Sequence, residues 1–312
     1  MPKKKCQLPA KVKNILFITL SNIGDVILST PTLEALHLRY PHAVIDIVGD
    51  DRSKIIFKHC SYVGKFYEKD KKLGWYGVFL LLRKLRITHY DIAVDLRTDG
   101  LLFFIRSKCK IFKLPNNFSL SIHSAKKHFY SIRAISDKNM PHPKIWLSEK
   151  EQSVANMVLS RTKGKKILAI GLGANFNGKI WPTNSFVNLA NKLNDYFDFV
   201  LLLGNKEDAR KSPAFIEHYS KSVIDCAGHF TLLETAALLK KSDFFIGNDS
   251  GLGHMASALG IPSFTIFGVG NPSKYRPWGV NALWHQDPNQ DITAITASLV
   301  SKKIIKRLKM IS

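Results

Sequence analysis

Short β-branched or apolar runs alternate along the chain with longer stretches whose apolar residues recur at helical spacing. The runs fall at 14–20, 43–48, 92–96, 167–171, 199–203, 244–246 and 263–267. Strand, helix and strand repeated in this way predict βαβ units and parallel sheets, an α/β fold. The first three runs are separated from the last four by the segment 139–147, where Pro141 and Pro143 disfavour helix, and by the polar, helical-looking stretch 148–160. We expect a domain junction there, with one domain over 1–147 and a second over 148–290. The tail 291–312 carries Ile292, Ile295, Leu299, Ile304 and Leu308 at near-helical spacing among Lys302, Lys303, Lys306, Arg307 and Lys309. It predicts a terminal amphipathic helix packed on a domain.

Length supports two domains, since 312 residues exceed what one hydrophobic core usually organises. An apolar share of 45% with 22% charged residues is that of a soluble globular chain and excludes disorder. Cys6, Cys60, Cys109 and Cys226 are scattered without a C-x-x-C pair, which argues against a disulfide framework or a cysteine-rich zinc site and fits a reducing cytoplasm. The basic start Met1–Lys5 leads into an apolar run too short for a signal peptide. No apolar stretch reaches the roughly 20 residues that span a bilayer. The formal net charge of +22 is uneven: residues 1–150 hold 27 Lys and Arg against 12 Asp and Glu, the remainder 19 against 12. Such a field attracts nucleic acid, anionic lipid or a phosphorylated substrate, and composition alone does not separate them.

Three loops carry candidate chemistry. After the first strand comes Ser21-Asn-Ile-Gly-Asp, which places Gly24 and Asp25 at a strand's carboxyl end, where open α/β sheets bind ligands. Gly24 leaves room for a ligand or a tight turn; Asp25 serves either as a cleft carboxylate or as a cap of the next helix. Thr30-Pro31 fits a helix start and a kink equally well. The second loop, Gly171 to Pro182, nearly spells a P-loop through Gly173 and Gly178-Lys179, but Ile180 stands where a hydroxyl should hold Mg²⁺, and Pro182 postpones the helix. It remains a place to bind phosphates, with a solvated Lys179 as the plainer alternative. The third, Gly247-Asn-Asp-Ser-Gly-Leu-Gly-His, joins a strand to a helix of small residues whose free N–H groups suit a diphosphate. There Asp249 reads chiefly as the helix cap, with Ser250 and Gly251 as phosphate contacts, and His254 is as often a packing residue as a ligand.

In this order the three loops resemble family 9 of the glycosyltransferases, whose best known members add heptose to the inner core of lipopolysaccharide. The matching residues are Gly24-Asp25-Val26 with Ser29-Thr30-Pro31, Lys179-Ile-Trp181-Pro182, and Asp249-Ser250-Gly251-Leu252 with His254, continuing to Gly260-x-Pro262 and Phe267-Gly268. The resemblance covers nearly the whole chain. It implies a GT-B fold, two Rossmann-like domains facing across a cleft, the first binding the acceptor and the second the nucleotide sugar. It implies Asp25 as general base of an inverting transfer, Lys179 with Gly173, Asp249, Ser250, Gly251 and His254 at the donor diphosphate, and Gly204 and Glu207 near the donor ribose. Gly24, Asp25, Arg97, Lys126 and Lys127 are the expected acceptor contacts. Together with Arg106, Lys108, Lys110 and Lys113, these cations interleave with Leu101–Ile105, Phe112 and Phe118, a face suited to rest on an anionic membrane. One departure stands out: Val269-Gly270-Asn271-Pro272 replaces the family's usual Pro-Thr pair. No Asp-x-Asp occurs, so no metal or other cofactor is expected. The expected partners are ADP-heptose and a phosphorylated, lipid-linked saccharide, the place the cytoplasmic face of the inner membrane, and the state monomeric, with no nucleic acid. Two alternatives are a family member using another nucleotide sugar and a non-catalytic nucleotide- or nucleic-acid-binding protein.

Overall fold

The computed structural model describes residues 9, 11–70, 72–97, 99–115, 122–136 and 139–311. Met1–Lys5, Cys6 and Phe118 lie outside them. Two units emerge, Met1–Trp146 and Leu147–Ser312.

The first unit runs β1 (Asn14–Ile18), α1 (Ile23–Arg39), β2 (Val44–Gly49), α2 (Asp51–Lys54), β3 (Val63–Glu68), α3 (Gly74–Leu85), β4 (Tyr90–Asp95), β5 (Ser107–Phe112) and α4 (Ser124–Ser131). Its strands pair in parallel in the order β3-β2-β1-β4-β5. Leu16 and Ile18 of β1 point into a core shared with Leu81 and Leu85 of α3, while α1 packs against α4. Burying both faces is why β1 reads as an apolar run from Ile15 on, and β4 as one interrupted only by Asp91 and Asp95.

The second unit runs α5 (Glu149–Val158), β6 (Ile167–Gly171), α6 (Thr183–Lys192), β7 (Phe199–Leu203), α7 (Ser212–His218), β8 (Ser222–Asp225), α8 (Leu232–Lys240), β9 (Phe244–Asn248), α9 (Gly251–Ala258), β10 (Ser263–Phe267), α10 (Pro272–Tyr275), β11 (Ala282–Gln286) and α11 (Ala297–Ile311). Its parallel sheet is ordered β11-β10-β9-β6-β7-β8, which reverses direction between β6 and β9. Ser148 and Glu151 form a capping box at the start of α5. The terminal helix begins at Ala297, later than the apolar spacing from 291 suggests. Asp291 takes the N–H (2.9 Å) and hydroxyl (2.7 Å) of Thr293, and this local competition turns 292–294 into a 3-10 turn.

Pro31 lies inside α1, so the helix-start reading fails. Proline has no N–H to give the carbonyl four residues back, Ile27. The Thr30 hydroxyl donates to that oxygen instead, at 2.7 Å, and accepts the Lys144 N–H at 2.9 Å. Cys60 and Cys226 are buried thiols, but Cys109 is disulfide-bonded, contrary to the reading of the scattered cysteines as unlinked. Sequence spacing does not reveal which cysteines the fold brings together. Among the described residues no helix is long and apolar enough to cross a membrane.

Candidate functional site

Both sheets offer a ligand crevice where strand order reverses, outside the carboxyl ends of the central strands. In the first unit that point lies between β1 and β4. Asp25 sits in the first turn of α1, half-buried, its carboxylate taking the Asn22 side-chain amide at 3.2 Å. Asn22, not Asp25, is the helix-cap position. Gly24 lies in the same helical turn and needs no positive φ, so the tight-turn reading fails. The next two motif residues are structural: besides the Thr30 bonds, the Ser29 hydroxyl donates to Val26 O (2.7 Å) and meets the Thr19 hydroxyl at 3.1 Å.

Lys113, just past β5, is bonded through its N–H to Asp95 O at 2.8 Å. Burial, and then the neighbouring Lys127 ammonium, hold Lys113 below the ordinary lysine value, while Asp25 and Asp95 pull it back. Asp25, Asp95, Lys113 and Lys127 therefore share one electrostatic neighbourhood. His128 is buried on α4, its Nδ1 unpartnered; burial first, then Lys113, Lys127 and His123, push its pKa down to about 3. Asp95, the last residue of β4, and His128, within α4, escaped the sequence reading because each is a single polar residue with no motif around it. The expected cation cluster is divided. Lys108 pairs with Asp91 at 2.8 Å, and Arg106 precedes β5, both at the amino edge of the sheet, away from Asp25. Lys126 and Lys127 ride on α4, and Arg97 is tied to Asp99 at 3.3 Å, where Lys69 also binds.

In the second unit the reversal lies between β6 and β9, and one ion pair spans it: Lys179 Nζ to Asp249 Oδ2, 2.5 Å. Asp249 is thus not the cap of α9; that position belongs to Ser250, whose side chain makes no capping bond. The lysine claims the carboxylate first. The Ser250 Oγ and His254 Nδ1 are both buried without a partner. Burial, and then Lys179, push the His254 pKa down to about 4, so the ring is neutral. Orphaned polar atoms cost about 1–3 kcal/mol each. Here they border the free N–H groups opening α9, an arrangement that fits an anion with several acceptor oxygens.

Asn248, which the sequence reading passed over, holds this site together. Fully buried, it accepts the Trp181 N–H at 3.0 Å and donates to Leu172 O (3.1 Å) and Gly173 O (3.4 Å). Trp181 is pinned in turn by its indole N–H on Ile295 O, 2.9 Å. Residues 177–179 form a 3-10 turn and the helix begins only at Thr183, so no P-loop forms. Gly173 and Gly204 are glycine because Asp208 lies over both; a Cβ on Gly173 collides with its carboxylate. Glu207 is exposed next to this cluster, its N–H on Asn205 Oδ1 at 2.8 Å. The departing stretch 269–272 forms its own closure: Asn271 caps α10 and Gln286 holds the Gly268 and Gly270 carbonyls at 2.8 and 3.1 Å.

Two Rossmann-type units, the second with an anion-suited helix start facing a lysine, match the GT-B fold. Solved structures agree: the chain superposes on a family 9 glycosyl transferase from Veillonella parvula with a TM-score of 0.86 at 21% identity, covering 97% of this chain and 99% of that one. It also superposes on an Escherichia coli ADP-heptose lipopolysaccharide heptosyltransferase II with a TM-score of 0.78 at 21% identity, covering 95% and 99%. A family model matches residues 112–296, more than half the chain, and the protein belongs to glycosyltransferase family 9 (heptosyltransferase). Lipopolysaccharide heptosyltransferase 1 of Campylobacter coli is 26% identical, with 89% of this chain and 90% of that protein covered.

Proposed function

We propose that the protein transfers heptose from ADP-heptose to the inner core of lipopolysaccharide with inversion at the anomeric carbon. What carries this reading is the start of α9, where buried, unpartnered Ser250 Oγ and His254 Nδ1 border the Lys179–Asp249 pair. The relatives' names supply the sugar class, and that of the E. coli structure names ADP-heptose for that enzyme. In this mechanism Asp25 takes the proton of the acceptor hydroxyl as it attacks the anomeric carbon, opposite the departing ADP. Lys179 and the N–H groups opening α9 offset charge growing on the diphosphate, with Ser250, Gly251 and His254 as contacts, so no metal is required. Gly173 and Gly204 shape the donor side by making room for Asp208, and Glu207 binds the ribose. Gly24, Arg97, Lys126 and Lys127 serve the phosphorylated acceptor, joined by Lys113. The protein works as a monomer, resting on the cytoplasmic face of the inner membrane.

Asp25→Asn tests the base directly. Turnover with ADP-heptose and an inner-core acceptor should fall about 10²-fold or more, with ADP-heptose affinity by calorimetry unchanged. Near-normal turnover removes Asp25 from the role. Transfer from another nucleotide sugar with none from ADP-heptose overturns the donor assignment.

A further inference from the structure

Helix α3 covers the sheet with Val78, Leu81, Leu82 and Leu85, the stripe that meets β1, β2 and β4. Trp75, Tyr76 and Phe79, in the first two turns of the same helix, are nonetheless exposed: 86% for Trp75, 65% for Tyr76, 56% for Phe79. The 3-10 turn Leu101–Phe104 lies against α3 in the same layer, burying Leu101 and Leu102 while Phe103 and Phe104 stand out at 70% and 63%. Phe103 also meets the ring of Phe112, centroid to centroid 5.1 Å. A helix that only shields a sheet carries polar residues outward, so an aromatic face built by several elements marks an interaction surface. Its position is informative. The start of α3 follows the carboxyl end of β3, and Phe112 closes β5, which sets the aromatic face toward the sheet edge that carries Asp25.

Charge selects the occupant. From residue 71 to residue 90 there is no Asp or Glu. Lys72 precedes the aromatics; Arg83, Lys84 and Arg86 follow them, all exposed and in no ion pair among the described residues. Lys110 reaches the Phe103 carbonyl at 3.1 Å. Trp and Tyr rings flanked by unpaired cations match the headgroup layer of an anionic bilayer, where amphipathic rings seat at the interface and lysine or arginine meets phosphate. We propose that the exposed aromatics at the start of α3, with Phe103 and Phe104, form the membrane-docking surface of this protein, seated in the headgroups of anionic phospholipid. The proposal deepens the reading of a lipid-linked acceptor, since docking there presents a membrane-borne saccharide to the edge holding Asp25.

Flotation with phosphatidylcholine vesicles, and with vesicles of equal parts phosphatidylcholine and phosphatidylglycerol, tests it. The wild type should float with the mixed vesicles and weakly with the neutral ones. Trp75→Ser/Phe79→Ser/Phe103→Ser should lower partitioning by about tenfold or more, and Arg83→Gln/Lys84→Gln by roughly fivefold per cation in low salt. Both variants should keep the wild-type melting temperature and turnover on a deacylated, water-soluble acceptor. If the triple variant does not fold, the charge variant carries the test alone. Vesicle binding unaffected by either variant overturns the surface, as does a wild-type dimer that the substitutions dissolve, or vesicle binding absent while single-stranded RNA binds through the same residues. A wild type that docks through this face yet transfers no sugar to the soluble acceptor supports the surface and sinks the proposed reaction, so the two failures are distinct.

Discussion

Lys179 and Asp249 show how one contact alters the meaning of a residue. A lysine closing a glycine-bearing loop reads from sequence as a phosphate ligand or a solvated cation, and an aspartate before a small-residue helix reads as its cap. Their 2.5 Å pairing makes each the other's first partner. Removing the lysine alone leaves a carboxylate that repels the ligand, so single substitutions mix two effects. Lys179→Ala should weaken ADP binding by about 1.5–3 kcal/mol or more, the range for a charge-assisted bond. Adding Asp249→Asn should recover part of that loss, with a coupling of about 0.5–3 kcal/mol in a calorimetric double-mutant cycle. Equal ADP affinity in all four proteins returns Lys179 to the solvated class.

At the scale of elements, the donor-side loops are held by Asn248 at the end of β9. Asn248→Ala strands the buried Trp181 N–H and Leu172 carbonyl, and should cost about 1–3 kcal/mol for each group left unsatisfied. Urea unfolding measures this, and a loss below about 0.5 kcal/mol shows that other bonds position the loops. Helix α9 is the second element with a testable duty. If its N–H groups and Lys179 stabilise the leaving diphosphate, turnover in EDTA after dialysis should stay within about a factor of two of that with Mg²⁺, roughly 0.4 kcal/mol in barrier. Ionic strength must be matched, because it screens the basic acceptor residues. Collapse in EDTA and recovery with one metal dismisses the helix-and-lysine account. Site legibility differed between elements. Loops that follow central strands announced themselves through glycine, aspartate and lysine, whereas Asn248 is one polar letter at the end of a strand and Asp208 acts only because the fold lays it over Gly173 and Gly204.

Over the whole molecule, pH exposes the buried histidines. His128 and His254 titrate at about 3 and about 4 in the native protein, against an ordinary 6.5. The native state keeps both neutral while the unfolded chain takes up protons as pH falls through 6.5. Stability should therefore be full above that value and decline toward pH 4, by up to ~1.4 kcal/mol per pH unit for each histidine. His254→Gln should flatten the decline in urea-unfolding free energy between pH 6.5 and 4; an unchanged slope assigns the acid sensitivity elsewhere. The sequence by itself determined the α/β class, seven strands and the loops that carry the chemistry. All seven are interior strands of the two sheets, where burial on both faces favours mostly apolar runs. The four it did not mark, β3, β5, β8 and β11, are the four sheet edges. An edge strand has one neighbour and partial exposure, so its residues mix polar with apolar and resemble loops. Tertiary structure alone decided which cations stand near Asp25, that Lys179 meets Asp249, and that the aromatics at the start of α3 stay uncovered. The first two depend on residues distant in sequence coming together and the third on none packing there, neither of which local pattern encodes.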